Sequence, residues 1–145
     1  MQVLIQRVSE ASVTVDGSVV GKINKGLLAL VGIEAHDTEE TVQRAAQRLT
    51  KYRVFSDENG KMNLSVKDIE GGILVVSQFT LAADTKRGLR PSFSSAASPE
   101  LAQELYLSLS QAIKESGVKV ATGQFAADMK VALINDGPVT FQLEF

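Results

Sequence analysis

The sequence predicts a single α/β domain over residues 1–145, in which mixed, largely antiparallel β-sheets form a barrel-like core and two main helices pack on one side. Three observations predict this class. Many segments have the length and apolar pattern of strands, two segments repeat apolar residues at helical spacing, and no linker, repeat or low-complexity tract divides the chain. A chain of 145 residues is long enough to bury one hydrophobic core.

Strands account for most of the amino-terminal third. "VLIQRV" and "ASVTVDGSVVGKI" alternate apolar and polar residues, as strands with one buried face do. Asp16-Gly17 lies between the apolar residues of the second segment and predicts a hairpin, because both residues tolerate positive φ. "GLLALVGI", from Gly26 to Ile33, is apolar throughout, so we expect a strand buried on both faces.

Further strands are predicted in the second half. "GGILVVSQFTL" predicts another buried strand, entered through Gly71-Gly72. "VKVATG", "DMKVALIND" and "VTFQLEF" predict the closing strands. Gly137-Pro138 separates the last two and predicts a turn between them.

Two helices lie between the strands. Asp37 and Glu40 predict a capping box before the first helix, whose apolar face is Val42, Ala45, Ala46, Leu49 and Tyr52. The second helix is predicted to begin with Ser98 as N-cap and Pro99 at the first helical position, and to end at Gly117. Its apolar face is Leu101, Leu105, Leu109, Ala112 and Ile113.

Composition narrows the possible chemistry. The chain has no cysteine, which excludes disulfides, thiolate nucleophiles and cysteine-ligated metals. It has one histidine, His36, in a loop, and no spacing of histidines and carboxylates that is typical of a metal site. We therefore expect no metal and no cofactor. The acidic pairs Asp57/Glu58 and Glu39/Glu40 are typical of a turn and of a first helical turn.

Charge and hydropathy restrict location and partners. The net charge of −2 gives no overall attraction to nucleic acid, so such binding would need a local basic patch. No apolar run has the roughly 20 residues of a membrane span, and Gln2, Gln6 and Arg7 interrupt the apolar stretch at the amino terminus. We expect a cytoplasmic protein with no membrane partner.

Three stretches are candidates for a functional site. "SQFTL", from Ser77 to Leu81, places polar side chains in an apolar run, where they either line a pocket or bond to nearby backbone. The loop with Lys86, Arg87 and Arg90 either contacts phosphates or is a solvated loop. Gly137-Pro138 either joins two strands or presents backbone groups to a ligand at a fixed angle.

The order of these stretches resembles a known family. "SQFTL", "TKRGLRPSFS", "TGQFAADM" and "NDGPVTF" occur in the order found in the D-aminoacyl-tRNA deacylases, also called D-tyrosyl-tRNA deacylases. The resemblance extends from "QRV" to the last strand. It implies a homodimeric, cytoplasmic esterase that hydrolyses D-amino acids, and also glycine, from the 3′ end of mischarged tRNA.

The resemblance also implies where the site residues lie. Gly137 and Pro138 would form a cis pair that reaches into the partner subunit's pocket and excludes L side chains, and Arg7 would brace it. Residues implied to line the pocket around the ester and the terminal adenosine are Ser77, Gln78, Phe79, Thr80, Phe125 and Met129. Lys86, Arg87 and Arg90 are expected to contact the acceptor stem.

Two mechanisms are compatible with these residues. Thr80 is a candidate nucleophile, but no histidine or lysine near it in the sequence would activate it. We favour assistance by the 2′-OH of the terminal ribose, with backbone N–H groups near Phe79 and Thr80 stabilising the oxyanion. The alternatives to this function are a related editing deacylase with a trans Gly-Pro pair that accepts small L-amino acids, and a non-catalytic dimeric binding module.

Overall fold

The computed structural model describes every residue from Met1 to Phe145. The strands are β1 (Gln2–Val15), β2 (Ser18–Ile23), β3 (Gly26–Gly32), β4 (Phe55–Ser56), β5 (Met62–Leu64), β6 (Gly72–Ser77), β7 (Lys119–Thr122) and β8 (Lys130–Glu144). The helices are α1 (Glu39–Lys51) and α2 (Pro99–Glu115), and a short 3₁₀ helix spans Phe79–Ala82. Six strands form the main sheet, whereas β4 and β5 form a small separate hairpin that the sequence did not predict.

The long strand β1 organises the main sheet. Its first half pairs with β3, its second half pairs with β2, and its other edge pairs with β8, all antiparallel. Beyond β3, the strands β6 and β7 are added in parallel. The sheet nearly closes on itself, because β2 approaches β7 so closely that a Cβ on Gly21 would lie 2.2 Å from the carbonyl oxygen of Thr122. The predicted class, a mixed sheet with a barrel-like core, is confirmed.

The core has two parts. The larger cluster contains the buried residues of both helices, such as Leu49 and Leu109, packed on Val3, Leu27 and Ile73 of the sheet. The smaller cluster fills the opposite side of the sheet with strand residues alone, including Val13, Leu28 and Leu74. Both helices therefore pack on one side, as predicted. Neither helix is long and apolar enough to cross a membrane.

Several local predictions are confirmed. Asp16 and Gly17 both have positive φ, 48° and 79°, in the turn between β1 and β2. Ser98 caps α2 by accepting a hydrogen bond from the amide of Leu101. Gly117, with φ of 94°, follows the end of α2. The β3 segment is buried almost throughout, as its continuous apolar sequence predicted.

The predicted capping box of Asp37 and Glu40 is wrong. Thr38 is the N-cap of α1, and its amide donates to the hydroxyl of Thr41 at 3.0 Å. The carboxylate of Asp37 is engaged elsewhere, since it accepts hydrogen bonds from the Met1 ammonium and from the amide of Glu34, both at 2.7 Å. A buried cation therefore competes for the side chain that the sequence assigned to the cap.

Strand boundaries also differ from the prediction. The first predicted segment and the first part of the second, up to Val15, form one strand, β1. The buried strand β6 ends at Ser77, because the chain turns into the 3₁₀ helix at Phe79. Gly137-Pro138 is no turn between strands. It lies inside the continuous strand β8, where Gln6 pairs with Thr140 and Val8 pairs with Asn135. Residues 136–139 therefore stand opposite a single residue of β1, Arg7, and form a bulge.

Candidate active site

A cavity of about 540 Å³ opens at the carboxyl ends of the parallel strands β3 and β6. We call it the β6 cavity. Ten of its thirteen lining residues are apolar, and most of the lining comes from the end of β6, the start of α2 and the segment before β8. The lining residues include Ser77, Gln78, Phe79, Ala102, Phe125 and Met129. Ligands of α/β sheets commonly bind beyond the carboxyl ends of strands, and an apolar pocket with a few polar groups is typical of such sites.

The "SQFTL" stretch forms one wall because the strand stops there. The amide of Gln78 donates to the carbonyl of Val31 at 2.7 Å, which holds the end of β6 against β3. The chain then enters the 3₁₀ helix, and the side-chain amide of Gln78 donates to the hydroxyl of Thr80. The first amides of a helical turn have no partner within it, so those of Phe79 and Thr80 remain free for a ligand.

Thr80 itself is exposed and does not line the β6 cavity. Phe79 is 57% exposed, and its ring packs on that of Phe93 with centroids 5.2 Å apart. The two rings form an apolar rim between the cavity and the basic loop that precedes Phe93. Exposed aromatic rings are suited to stacking on a base.

The opposite wall is held by a buried tyrosine. The hydroxyl of Tyr106 donates to the carbonyl of Val75 at 3.0 Å, and its ring lies 6.0 Å from that of Phe125. Burial raises the pKa of Tyr106, and polar contacts with Thr122 and Gly123 only partly oppose this. The amide of Gly123 also bonds to Val75, at 3.1 Å, so the segment that carries Phe125 is fixed to β6.

The second candidate region is the Gly-Pro bulge (residues 136–139). Arg7 donates from Nε to the carbonyl of Asp136 and from a terminal nitrogen to the carbonyl of Val54, both at 2.8 Å. The side chain of Asn135 accepts from the amide of Val139 at 2.7 Å. The Gly137-Pro138 peptide bond is cis, and both residues are exposed. Neither they nor Arg7 line the β6 cavity of the same chain.

The basic loop is a third region. Its ends are joined by two backbone hydrogen bonds between Asp84 and Ser92, of 2.7 and 3.0 Å. Lys86, Arg87 and Arg90 are exposed, and no carboxylate lies within 4.0 Å of them. They do not line the β6 cavity either.

One cluster of possible metal ligands was not foreseen. The loop before α1 brings ligand atoms of Glu34, His36 and Asp37 within 4.8 Å of one another. The Met1 ammonium already occupies both carboxylates, at 2.7 Å from each. Partial burial acts to raise the pKa of Glu34, but hydrogen bonding and attraction to the ammonium outweigh it and lower that pKa overall. This cluster balances a buried charge, which accounts for its composition.

The structure brings some of the predicted site residues together at one cavity and leaves others apart from it. Ser77, Gln78 and Phe79 do meet Phe125 and Met129 at one cavity. Sequence reasoning missed the α2 contribution, chiefly Pro99 and Ala102. The signal was the helix start at Ser98-Pro99, but nothing local in a sequence indicates which pocket a helix start adjoins.

Comparison with known proteins places the molecule in a class of enzymes, the deacylases. A family model described as D-Tyr-tRNA(Tyr) deacylase matches residues 4–144, and the chain belongs to this family. The D-aminoacyl-tRNA deacylase of Shewanella pealeana is 61% identical over 144 residues, covering 99% of each chain. That of Teredinibacter turnerae is 60% identical over 144 residues with the same coverage. The resemblance inferred from the four motifs, and with it the prediction of an enzyme, is confirmed.

Two solved structures have a similar fold. One described as c-Myc DNA Unwinding Element Binding Protein is 38% identical, with a TM-score of 0.94, and the match covers 100% of this chain and 99% of that one. Another, described as a probable eukaryotic D-amino acid tRNA deacylase, is 15% identical, with a TM-score of 0.87 and coverage of 98% and 97%. The second match shows a shared fold.

Proposed function

We propose that the protein hydrolyses the ester that joins a D-amino acid, or glycine, to the 3′ end of tRNA, and rejects L-aminoacyl-tRNA. Water adds to the ester carbonyl, the bond to the ribose oxygen breaks, and the products are the free amino acid and tRNA. One observation carries the proposal: the family match over residues 4–144 includes every segment that lines the β6 cavity.

The β6 cavity suits the terminal adenosine and the ester. Its apolar lining favours a base and the rim rings of Phe79 and Phe93 offer a stacking surface. The free amides at Phe79 and Thr80 would stabilise negative charge on the carbonyl oxygen. His36 is exposed in the loop before α1 and does not line the cavity, so no side chain is placed there to activate Thr80. The ribose 2′-OH of the substrate would instead position the attacking water through a hydrogen bond.

Chiral selection is assigned to the Gly-Pro bulge of a second copy of the chain. The bulge is exposed and lies outside its own β6 cavity, so a homodimer would bring the two together. Apolar residues near it support a protein contact, since Ile134 is 55% exposed and Phe141 is 37% exposed. Backbone groups of Gly137 and Pro138 would hold the α-amino group, and an L side chain would collide with them, whereas glycine has none.

The basic loop and the compartment complete the proposal. Lys86, Arg87 and Arg90 would contact acceptor-stem phosphates. The enzyme would act in the cytoplasm, where tRNA is charged and used. Neutralising the three cations should weaken tRNA binding and reduce its salt dependence. Unchanged binding would remove the loop from the site without affecting the rest of the proposal.

The decisive assay compares D- and L-tyrosyl-tRNA as substrates of the purified protein. We expect hydrolysis of the D ester, no measurable hydrolysis of the L ester, and the same rates with and without a chelator. Equal rates on D and L esters would overturn chiral selection, and cleavage of small L-aminoacyl esters alone would favour the related editing deacylase. Binding without any hydrolysis would favour a non-catalytic module.

DNA binding is a second candidate, because the 38% identical structure is described as a DNA unwinding element binding protein. The net charge of −2 gives no general attraction to DNA. A titration with duplex DNA and with tRNA under the same salt conditions separates the two candidates, and preference for the duplex would support the second.

A further inference from the structure

A groove of about 770 Å³, larger than the β6 cavity, runs along the carboxyl-terminal half of α1. We call it the α1 groove. It is lined by four cationic side chains, Arg44, Arg48, Lys51 and Arg53, together with Tyr52 and Glu144. All four cations are exposed.

Positive side chains outnumber negative ones in the α1 groove, which has four cations and one acidic side chain, Glu144. No carboxylate lies within 4.0 Å of any of the four cations. The guanidinium of Arg48 lies 5.8 Å from the centre of the Tyr52 ring, and Arg53 donates to the side-chain oxygen of Asn63 at 3.2 Å. In a chain with a net charge of −2, this is a local concentration of positive charge, and its field would attract an anion.

Helix stability does not account for this pattern. Arg44, Arg48 and Lys51 follow one another at spacings of four and three, which places like charges on neighbouring turns of one face. Cations in the last turn favour the negative end of the helix dipole, and this explains Arg48 and Lys51. It does not explain Arg44 or Arg53, which lie outside that turn.

The groove is connected to the Gly-Pro bulge of the same chain. Arg7 bonds both to the carbonyl of Val54, next to Arg53, and to the carbonyl of Asp136 in the bulge. The ring of Tyr52 packs edge-on against Phe141, with centroids 6.0 Å apart, and Phe141 follows the bulge on β8. The α1 groove and the Gly-Pro bulge of one chain are therefore joined by direct side-chain contacts.

We propose that the α1 groove binds phosphates of the tRNA acceptor arm. The inference rests on the proposed function, because a tRNA whose 3′ end enters the cavity of one subunit meets the bulge of the other. The subunit that supplies the bulge would then also hold the arm, through guanidinium groups whose geometry matches phosphate oxygens.

Binding of uncharged tRNA tests this directly. The triple variant Arg44→Gln, Arg48→Gln, Lys51→Gln should bind tRNA at least roughly ten-fold more weakly, and the slope of log K against log salt should become less steep by up to about three. Arg44→Lys with Arg48→Lys keeps the charge and should retain most of the binding. All substitutions are on an exposed helix face, and circular dichroism checks that the fold is unchanged.

A matched control removes three cations that do not line the α1 groove and lie at the end of β6 away from the β6 cavity. Lys25 and Lys119 are next to Gly72 at the start of β6, Lys67 lies in the preceding loop, and all three are exposed. Replacing these three by Gln should leave tRNA affinity and its salt slope unchanged. Equal losses in both triple variants, or no loss in the groove variant, would overturn the proposal.

A small substrate separates this proposal from the proposed function. D-tyrosyl-adenosine has the ester and the base but no phosphate, so the groove variant should hydrolyse it at the wild-type rate while its KM for D-tyrosyl-tRNA rises roughly ten-fold. If the wild type binds tRNA through the groove but cleaves neither ester, the proposed function fails and the groove assignment stands.

Discussion

The β6 cavity and the Gly-Pro bulge are built in opposite ways. The cavity lies at the ends of two buried parallel strands and is backed by a buried tyrosine, so its walls are fixed by the core. The bulge is an exposed interruption of one strand, fixed by the polar contacts of Arg7 and Asn135. The cavity can enclose a ligand but offers few polar groups, whereas the bulge exposes backbone polar groups but forms no pocket of its own. Each therefore has what the other lacks, which is why we assign one site to both.

Filling the cavity should have the largest effect. Ala102 lines it from α2, so Ala102→Trp should block substrate entry and lower kcat/KM for D-tyrosyl-tRNA by more than about 100-fold. Gln103→Trp, on the exposed side of the same helix, is the control and should retain activity. Normal activity of Ala102→Trp would show that the substrate does not bind in the cavity.

Distorting the bulge should have the next largest effect. Gly137 has φ of 147°, and a Cβ there would lie 2.6 Å from the side chain of Val139, so Gly137→Val should displace the bulge and lower the rate roughly 30-fold. Gly60→Val is the control, since Gly60 also has positive φ, 75°, but has no atom within 4 Å of the new Cβ. If the two valine variants hydrolyse D-tyrosyl-tRNA equally well, the bulge has no part in the site.

Removing the hydroxyl of Thr80 should have a smaller effect. Thr80 is exposed and its hydroxyl bonds only to the side chain of Gln78, so Thr80→Ala should lower kcat less than about ten-fold if the substrate 2′-OH assists the reaction. Single-turnover rates on D-tyrosyl-tRNA measure this. Loss of the whole rate with unchanged binding would instead make Thr80 the nucleophile. A substrate whose terminal ribose lacks the 2′-OH tests the same mechanism from the other side, and the wild-type protein should hydrolyse it much more slowly.

The smallest predicted effect concerns the cavity wall. Because burial raises the pKa of Tyr106 above its ordinary value of 10.0, the folded protein keeps the phenol protonated where the unfolded chain loses the proton. This contribution to stability is present below pH 10 and is lost as the pH rises above it. Tyr106→Phe should cost about 1 kcal/mol at neutral pH, since the bond to Val75 is lost, and should flatten the alkaline decline. Denaturant unfolding at several pH values measures both; an unchanged decline would contradict the account.

Local patterns were enough to predict much of this molecule. The Asp16-Gly17 hairpin, the Ser98 cap and the buried strand β3 depend on neighbouring residues, and all three were predicted. The continuous strand β8 was not, because a Gly-Pro pair ordinarily breaks a strand, and only its partner β1 reveals a bulge. Asp37 was misassigned because the Met1 ammonium, 36 positions away in sequence, binds it.

Some residues of the candidate site could also be predicted from local motifs, whereas others depend on the fold. The motifs indicated Ser77 to Phe79 and Phe125, but Ala102 reaches the cavity only through the packing of α2 on the sheet. The sequence analysis did not single out the cationic face of α1, although Arg44, Arg48 and Lys51 recur at helical spacing. The sequence could not predict that this face borders a groove, because only the fold brings Glu144 and Arg53 next to it.

A mixed dimer tests most directly whether two copies complete one site. A subunit with Ala102→Trp has a blocked cavity and an intact bulge, and a subunit with Gly137→Val has the reverse. Their heterodimer, isolated through two different affinity tags, should hydrolyse D-tyrosyl-tRNA at about half the wild-type rate, because one of its two sites combines the intact cavity with the intact bulge. A heterodimer as inactive as both parents, or failure of the two chains to associate, would contradict the account.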